Sequence, residues 1–282
     1  MEFEAGTYND DDLSDDSVCD DGAEDLLQSL VRAALSGDLQ RCTAALEGCA
    51  SRGVDPNRLT NNGRSCLLTS CQAGHVAIVA LLMQHGVRAS ACGWNNTSAL
   101  QAACGEGHTE CALLLLSPEN NNTHGAVVTD ADGSGMTALL SACAGGHAAC
   151  AALVLERGAA VDHATRHGLE TSLHAASSRG HVDCVALCLK HGASLDLANQ
   201  RGSTALHLAS GAGHAEVVSL LCRSGVSVSA VDERGKTALH MAARTGRCAA
   251  CRSLVEAGAR CEAECALGAT PLLEAVEHGL SE

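Results

Sequence analysis

Gly202-Ser203-Thr204-Ala205-Leu206-His207-Leu208-Ala209-Ser210, followed by Gly213-His214, returns 33 residues later as Gly235-Lys236-Thr237-Ala238-Leu239-His240-Met241-Ala242-Ala243 before Gly246-Arg247. Thr171-Ser172-Leu173-His174-Ala175-Ala176 sits in the same frame ahead of Gly180-His181. Ser65-Cys66-Leu67-Leu68, Ser98-Ala99-Leu100-Gln101 and Thr137-Ala138-Leu139-Leu140 keep that frame and lose its first His. The Gly-His pairs at 74–75, 107–108, 146–147, 180–181 and 213–214 give His-to-His spacings of 33, 39, 34 and 33, and the phase runs on to Thr270 with Gly279. A period of this size means one supersecondary unit copied side by side, each copy burying its apolar face only against its neighbours. Such a chain presents surface rather than a catalytic cavity.

The retained letters have physical work. A Thr or Ser opening each copy can accept a bond from an orphan backbone N–H and cap a helix, with Ala or Pro following at the first helical position, as in Thr270-Pro271. Leu206 and Ala209 mark the apolar stripe of that helix, and Gly213 its stop. Val217, Val218, Leu220 and Leu221 supply the face of a second helix ending near Gly225. The stretch 226–234 alternates and then turns polar, which suits an extended excursion ending in a fingertip turn.

On these motifs the chain resembles the ankyrin repeat, whose signature is Gly-x-Thr-Pro-Leu-His-x-Ala-Ala, two residues, then Gly-His. The resemblance covers roughly residues 25 to 282. It implies an all-α solenoid of helix-turn-helix units with hairpin-like fingers at right angles to the helices, and a protein-interaction module. It also implies that the motif histidines are hydrogen-bonding struts between backbone loops. The organisation expected is an acidic disordered leader at 1–23 and a repeat domain at 24–282, of about seven full repeats and a terminal half.

Composition supports this division. The sequence has 46% hydrophobic residues but only Phe3, Tyr8 and Trp94 as aromatics, so the core must be built from Leu, Val, Ala and Cys. The net charge is −15, yet residues 1–25 hold 11 acids and no Lys or Arg, leaving −15 + 11 = −4 for the rest. The asymmetry belongs to the leader. A mildly acidic solenoid without a basic stripe or aromatic platform lacks the footprint for nucleic acid. No apolar run reaches membrane-spanning length, and the acidic N-terminus is unlike a secretory signal, so a monomer in the cytosol or nucleus is expected, away from membranes. The sequons at Asn95-Asn96-Thr97, Asn96-Thr97-Ser98 and Asn121-Asn122-Thr123 then read as plain loop residues.

The 17 cysteines invite a metal reading, above all Cys248, Cys251, Cys261 and Cys265, which fall at non-equivalent positions and could converge on zinc. The repeat frame offers the competing account. Cys111, Cys150 and Cys184 stand where Val217 stands later, and Cys71, Cys104 and Cys143 where Ser177, Ser210 and Ala243 stand. Reduced, metal-free thiols filling core columns are therefore expected, with no cofactor. No phosphate loop, nucleophile elbow or metalloprotease helix occurs, and a periodic set of histidines lacks the unique environment catalysis needs, so no enzyme is expected.

Departures from the period carry the rest. Gly37 to Gly74 spans 37 residues, with the excess around Leu46 to Pro56, and six extra residues lie within Ser117 to Asp132. Both are expected as loops. The eighth copy stops at Glu282, which leaves Leu272, Leu273 and Val276 without half their usual cover. Counting back from the frame glycines, or from Asn96 in the third copy, puts Trp94, Arg166, Gln200 and Glu233 at one fingertip position, followed by Asn95, His167, Arg201 and Arg234. These eight residues are the expected partner-binding edge. Trp94 is either its aromatic anchor or a local packing residue against the neighbouring finger. Alternatives to a free-standing scaffold, adaptor or inhibitor are a substrate-recruiting adaptor of a ubiquitin-ligase complex, or the repeat portion of a larger enzyme.

Overall fold

The computed structural model describes residues 21–90, 92–117 and 127–278, without the side chains of Asp21 and Trp94. Residues 1–20 of the expected leader, the insert at 118–126 with Asn121-Asn122-Thr123, and the last four residues lie outside them. Fifteen α-helices are described. The first helices of successive units are α1 (Asp21–Ser36), α3 (Cys66–Ala73), α5 (Ala99–Glu106), α7 (Ala138–Gly145), α9 (Ser172–Arg179), α11 (Ala205–Ala212), α13 (Ala238–Arg244) and α15 (Pro271–Glu277). The second helices are α2 (Leu39–Arg52), α4 (Val76–Gln84), α6 (Thr109–Leu115), α8 (Ala148–Glu156), α10 (Val182–Lys190), α12 (Ala215–Arg223) and α14 (Cys248–Glu256). First helices pack on first helices and second on second, giving two layers.

Each first helix begins where the sequence places its cap. Ser65, Ser98, Thr137, Thr171 and Thr270 accept the backbone N–H three residues on. The stop glycines 74, 107, 146, 180 and 213 adopt φ between 74° and 87°. That left-handed conformation is strained for any side chain, and a Cβ at Gly180 would also meet the His214 ring at 2.5 Å. The same approach of a glycine to the next unit's histidine recurs at Gly37, Gly74, Gly107 and Gly146. Three of these rings reach back across the layer, His75 to the Leu35 carbonyl, His108 to Gln72 and His214 to Ser178, at 3.1–3.2 Å. The strut role implied by the resemblance is thus the observed one.

Apolar burial follows the columns. Leu67, Leu100, Leu139, Leu173, Leu206 and Leu239 are buried in the first-helix layer. In the second layer, Cys111, Cys150 and Cys184 are buried in the place of Val217. Cys71, Cys104 and Cys143 are buried where Ser177 and Ser210 stand. Burial pushes the Cys42 thiol up to about 11 and that of Cys66 to about 12, so both are held as thiols and are poor nucleophiles. Cys251 occupies the Val218 column and is half-buried, Cys248 and Cys261 are exposed, and Cys265 is buried where it opens the 265–269 finger turn. Among the described residues no group of three or more His, Cys, Asp or Glu side chains is placed to hold a metal ion.

Two details differ from the sequence expectation. The excess around Leu46 to Pro56 is taken up mainly by the helix itself: α2 has 14 residues where α12 has 9. It closes at Gly53, whose φ is 68°. Cys42, Ala45, Leu46 and Cys49 continue its buried stripe, so added residues extend an existing apolar face instead of forming a loop. At the other end of the solenoid, α1 begins at Asp21, three residues ahead of the expected boundary at 24. Ala23, Leu27, Leu30 and Ala34 give it a regular inward stripe that starts before the acidic composition ends. Leu272, Leu273 and Val276 on α15 are exposed among the described residues.

Candidate protein-binding groove

The fingers join each second helix to the next first helix, and they are turns with isolated bridges rather than a sheet. Their tips are built by short polar side chains folded onto their own backbone. In three of them Asp132, Asn199 and Asp232 use Oδ1 to accept two backbone N–H groups each, from residues two and four further on, at 2.8–3.0 Å. Frame glycines such as Gly202 and Gly235 turn the tip at φ near 70°. In the third copy Asn96 takes that place at φ 61°, one of the few residue types that tolerates it.

Adjacent tips are stitched by one backbone hydrogen bond per step. Gly133 N–H donates to the Asn95 carbonyl (2.8 Å), Arg166 to Ser134 (2.8 Å), Gln200 to Gly168 (2.7 Å), Glu233 to Arg201 (3.2 Å) and Ala266 to Arg234 (3.0 Å). Arg166, Gln200 and Glu233 thus share one position, with Gly133 and Ala266 in the neighbouring fingers. Arg201 and Arg234 follow them with Asn95 and Ser134. The exception is His167. Its finger has one residue more, closing from Thr165 to Glu170 where its neighbour closes from Asn199 to Ser203, so Gly168 makes the bond expected at His167. The extra residue is the 34 among spacings of 33, and it leaves Leu169 at φ 53°.

Asn95, Arg166, His167, Gln200, Arg201, Glu233 and Arg234 are all exposed. Trp94 opens a single 3-10 turn, Trp94–Asn96, and its side chain is outside what the structure describes. Between the last fingers and the first helices lies an open groove of about 800 Å³. His167, Gln200, Arg201, Glu233 and Arg234 form its finger wall, and Leu208, Met241 and Arg244 its helical floor.

Under this surface runs a row of buried imidazoles that fixes finger to helix. Thr204 N–H donates to Nδ1 of His207 (3.2 Å), and Nε2 faces the Lys236 carbonyl at 3.0 Å. His174 does the same between Thr171 and Ser203, and His240 between Thr237 and Ala269. A carbonyl only accepts and an amide N–H only donates, so each ring is neutral with its proton on Nε2. Gln101, which the motif comparison reads as a lost His, fills the identical role: its Oε1 accepts from Ser98 N–H and its Nε2 donates to the Met136 carbonyl.

Burial holds the His174 and His207 pKa values below the ordinary one, against the smaller opposing effect of their backbone bonds. The unfolded chain therefore binds more protons as pH falls through the ordinary histidine value of about 6.5, so stability is full above that pH and lost below it. Denaturant midpoints compared at pH 7.5 and pH 5.5 should fall with acidification. The double variant His174→Gln/His207→Gln, which copies Gln101, should show a smaller fall. An unchanged pH slope would show that these rings do not report on folding.

Lys236 and Glu274 were not singled out by the sequence. The Lys236 Nζ lies 2.6 Å from Glu274 Oε1, with side chains 11% and 6% exposed, and so ties the junction of the 232–236 finger with α13 to α15. Both belong to columns filled by uncharged residues in the preceding copy, Ser203 and Met241.

Ankyrin-repeat family models match residues 30–125, 92–166, 122–199 and 161–232, and a single ankyrin repeat matches 234–265. The chain belongs to the ankyrin-repeat family. Among solved structures it is similar to the human ASB11 ankyrin repeat domain, at 31% identity and a TM-score of 0.68 over 75% of this chain and 92% of that one. It is also similar to the ankyrin repeat domain of Bcl-3, an IkappaB-family member, at 26% identity and 0.66 over 80% and 97%. No curated protein matches the chain. Ankyrin domains are protein-interaction modules, and none of the described helices is long and apolar enough to cross a membrane.

Proposed function

We propose that this chain is a non-enzymatic scaffold, adaptor or inhibitor that holds a protein partner across its finger wall and first-helix floor. The observation that carries this is the in-register row of exposed fingertip side chains, stitched tip to tip by backbone bonds. A row fixed in this way needs no ordering of its backbone on binding, which is one way preorganised surfaces gain affinity. The partner edge comprises Trp94, Asn95, Arg166, His167, Gln200, Arg201, Glu233 and Arg234. The protein acts as a monomer in the cytosol or nucleus, where thiols stay reduced, and its partners are proteins rather than nucleic acid or membrane. Residues 1–20 serve as an acidic leader to the repeats that begin with α1.

The test is affinity capture on the intact chain, with partners identified by mass spectrometry and then purified. Trp94→Ala is expected to leave the melting temperature almost unchanged while weakening the purified partner by about 2 kcal/mol or more, as loss of an aromatic anchor does. Strong destabilisation with unchanged affinity would place Trp94 in local packing and remove it from the edge.

A further inference from the structure

The groove of the last fingers has a charge pattern that narrows the kind of partner, if the proposed function holds. Its cations and anions are not equally available. Lys236 is neutralised by Glu274, and Oδ1 of Asp232 is taken by the N–H groups of Arg234 and Lys236. The guanidinium groups of Arg201 and Arg234 have no hydrogen-bond or ion-pair partner among the described residues, and they stand one finger apart on the exposed wall. Below them Arg244 is half-buried on α13. Its Nε is sealed from solvent without an acceptor, and its Nη2 reaches only the Met241 sulfur, at 3.8 Å. A thioether is a weak acceptor, and a guanidinium stays charged at any working pH. A half-buried guanidinium whose Nη2 meets only a thioether is under-satisfied, so an anion that reaches its Nη groups from the groove supplies an acceptor the free protein lacks.

We infer that this groove takes an extended acidic peptide segment of the partner, with carboxylates received by Arg201, Arg234 and Arg244. Spacing sets the pattern. Neighbouring repeats stand about 8–10 Å apart, the helix-packing distance. A segment in the extended polyproline II conformation advances about 3.1 Å per residue with three residues per turn, so Asp or Glu at every third position falls on one face and matches the row. Glu170 and Glu233 on the same wall discriminate against polyphosphate, whose closely spaced charges cannot avoid them. The repeat frame already sets Arg201 and Arg234 at equivalent fingertip positions, and the fold adds Arg244 beneath them.

The experiment titrates the full chain with three labelled probes of equal length: a peptide of repeated Glu-Ser-Gly, one of repeated Lys-Ser-Gly, and single-stranded DNA. The Glu probe should bind best and weaken with added salt. Arg201→Glu/Arg234→Glu should lower its affinity at least about tenfold with an unchanged thermal melt, and Arg244→Met should lower it several-fold without loss of stability. Equal binding of the Lys probe, tighter binding of DNA, or indifference to the charge reversal would overturn the inference. So would tighter binding by a peptide of residues 1–25, which would make the chain's own acidic segment the occupant. A photo-crosslinker at position 201 separates the two readings. A purified partner captured there by a chain that ignores the Glu probe overturns the acidic specificity and leaves the proposed function standing, whereas no crosslink from this or any other finger removes both.

Discussion

Leu206→Ala is expected to destabilise the protein by about 2 to 5 kcal/mol. Leu206 is 1% exposed at the second position of α11, with α9 and α13 packed on either side. Truncation removes its transfer free energy and leaves a cavity, and the neighbours cannot collapse into it easily. They are themselves Leu173 and Leu239, held in register by the His174 and His207 struts. Because each repeat is stabilised only by its neighbours, the loss at a central unit weakens two interfaces at once. Urea or guanidinium unfolding should show a lower midpoint and, if the flanking repeats separate, a broader transition. A midpoint within experimental error of the parent would mean that the apolar frame has been placed on the wrong face of the helix.

The legible part of this fold is the part that recurs. Thr204 and Thr237 as caps, Gly213 as a stop and Leu206 as core could all be placed from one copy and checked against the next, because identical positions in a solenoid meet identical surroundings. The cysteines illustrate the same logic: Cys111, Cys150 and Cys184 were readable as packing residues because Val217 stands in their column. What was hidden is what breaks the repeat. The role of Gln101 requires knowing that a carboxamide can reach both the cap N–H and the next finger's carbonyl, as an imidazole does. The extra residue in the His167 finger shows only as a spacing of 34, and nothing in the sequence says whether the finger or the helix absorbs it. The excess after Leu46 went into a helix for the converse reason, since Cys49 prolongs an apolar stripe that a loop prediction ignores. At the groove, the finger wall was legible from the frame. The floor residue Arg244 was not, since the equivalent positions hold Gly211 and Ser178 and give no hint of a charge.

Lys236→Met should cost about 3 kcal/mol, unless α15 detaches first and caps the loss at its own contribution. Removing the ammonium leaves the Glu274 carboxylate, 6% exposed, without its ion-pair partner among the described residues, and an uncompensated buried charge is more costly than either the pair or an apolar replacement of it. The change should act through the side chain alone. The backbone of Lys236 still accepts from His207 Nε2 and donates to Asp232 Oδ1, so the finger and the strut row are spared. Since Leu272, Leu273 and Val276 already leave α15 thinly covered, the least costly response is for α15 to unravel and carry Glu274 into water. Hydrogen exchange should then show lost protection over 271–277 with α11 and α12 unaffected. The double variant Lys236→Met/Glu274→Leu should restore that protection, because it removes both charges and keeps the volume apolar. Protection of α15 unchanged in the single variant would mean that Glu274 finds water where it stands, and that the pair does not fasten the terminal helix.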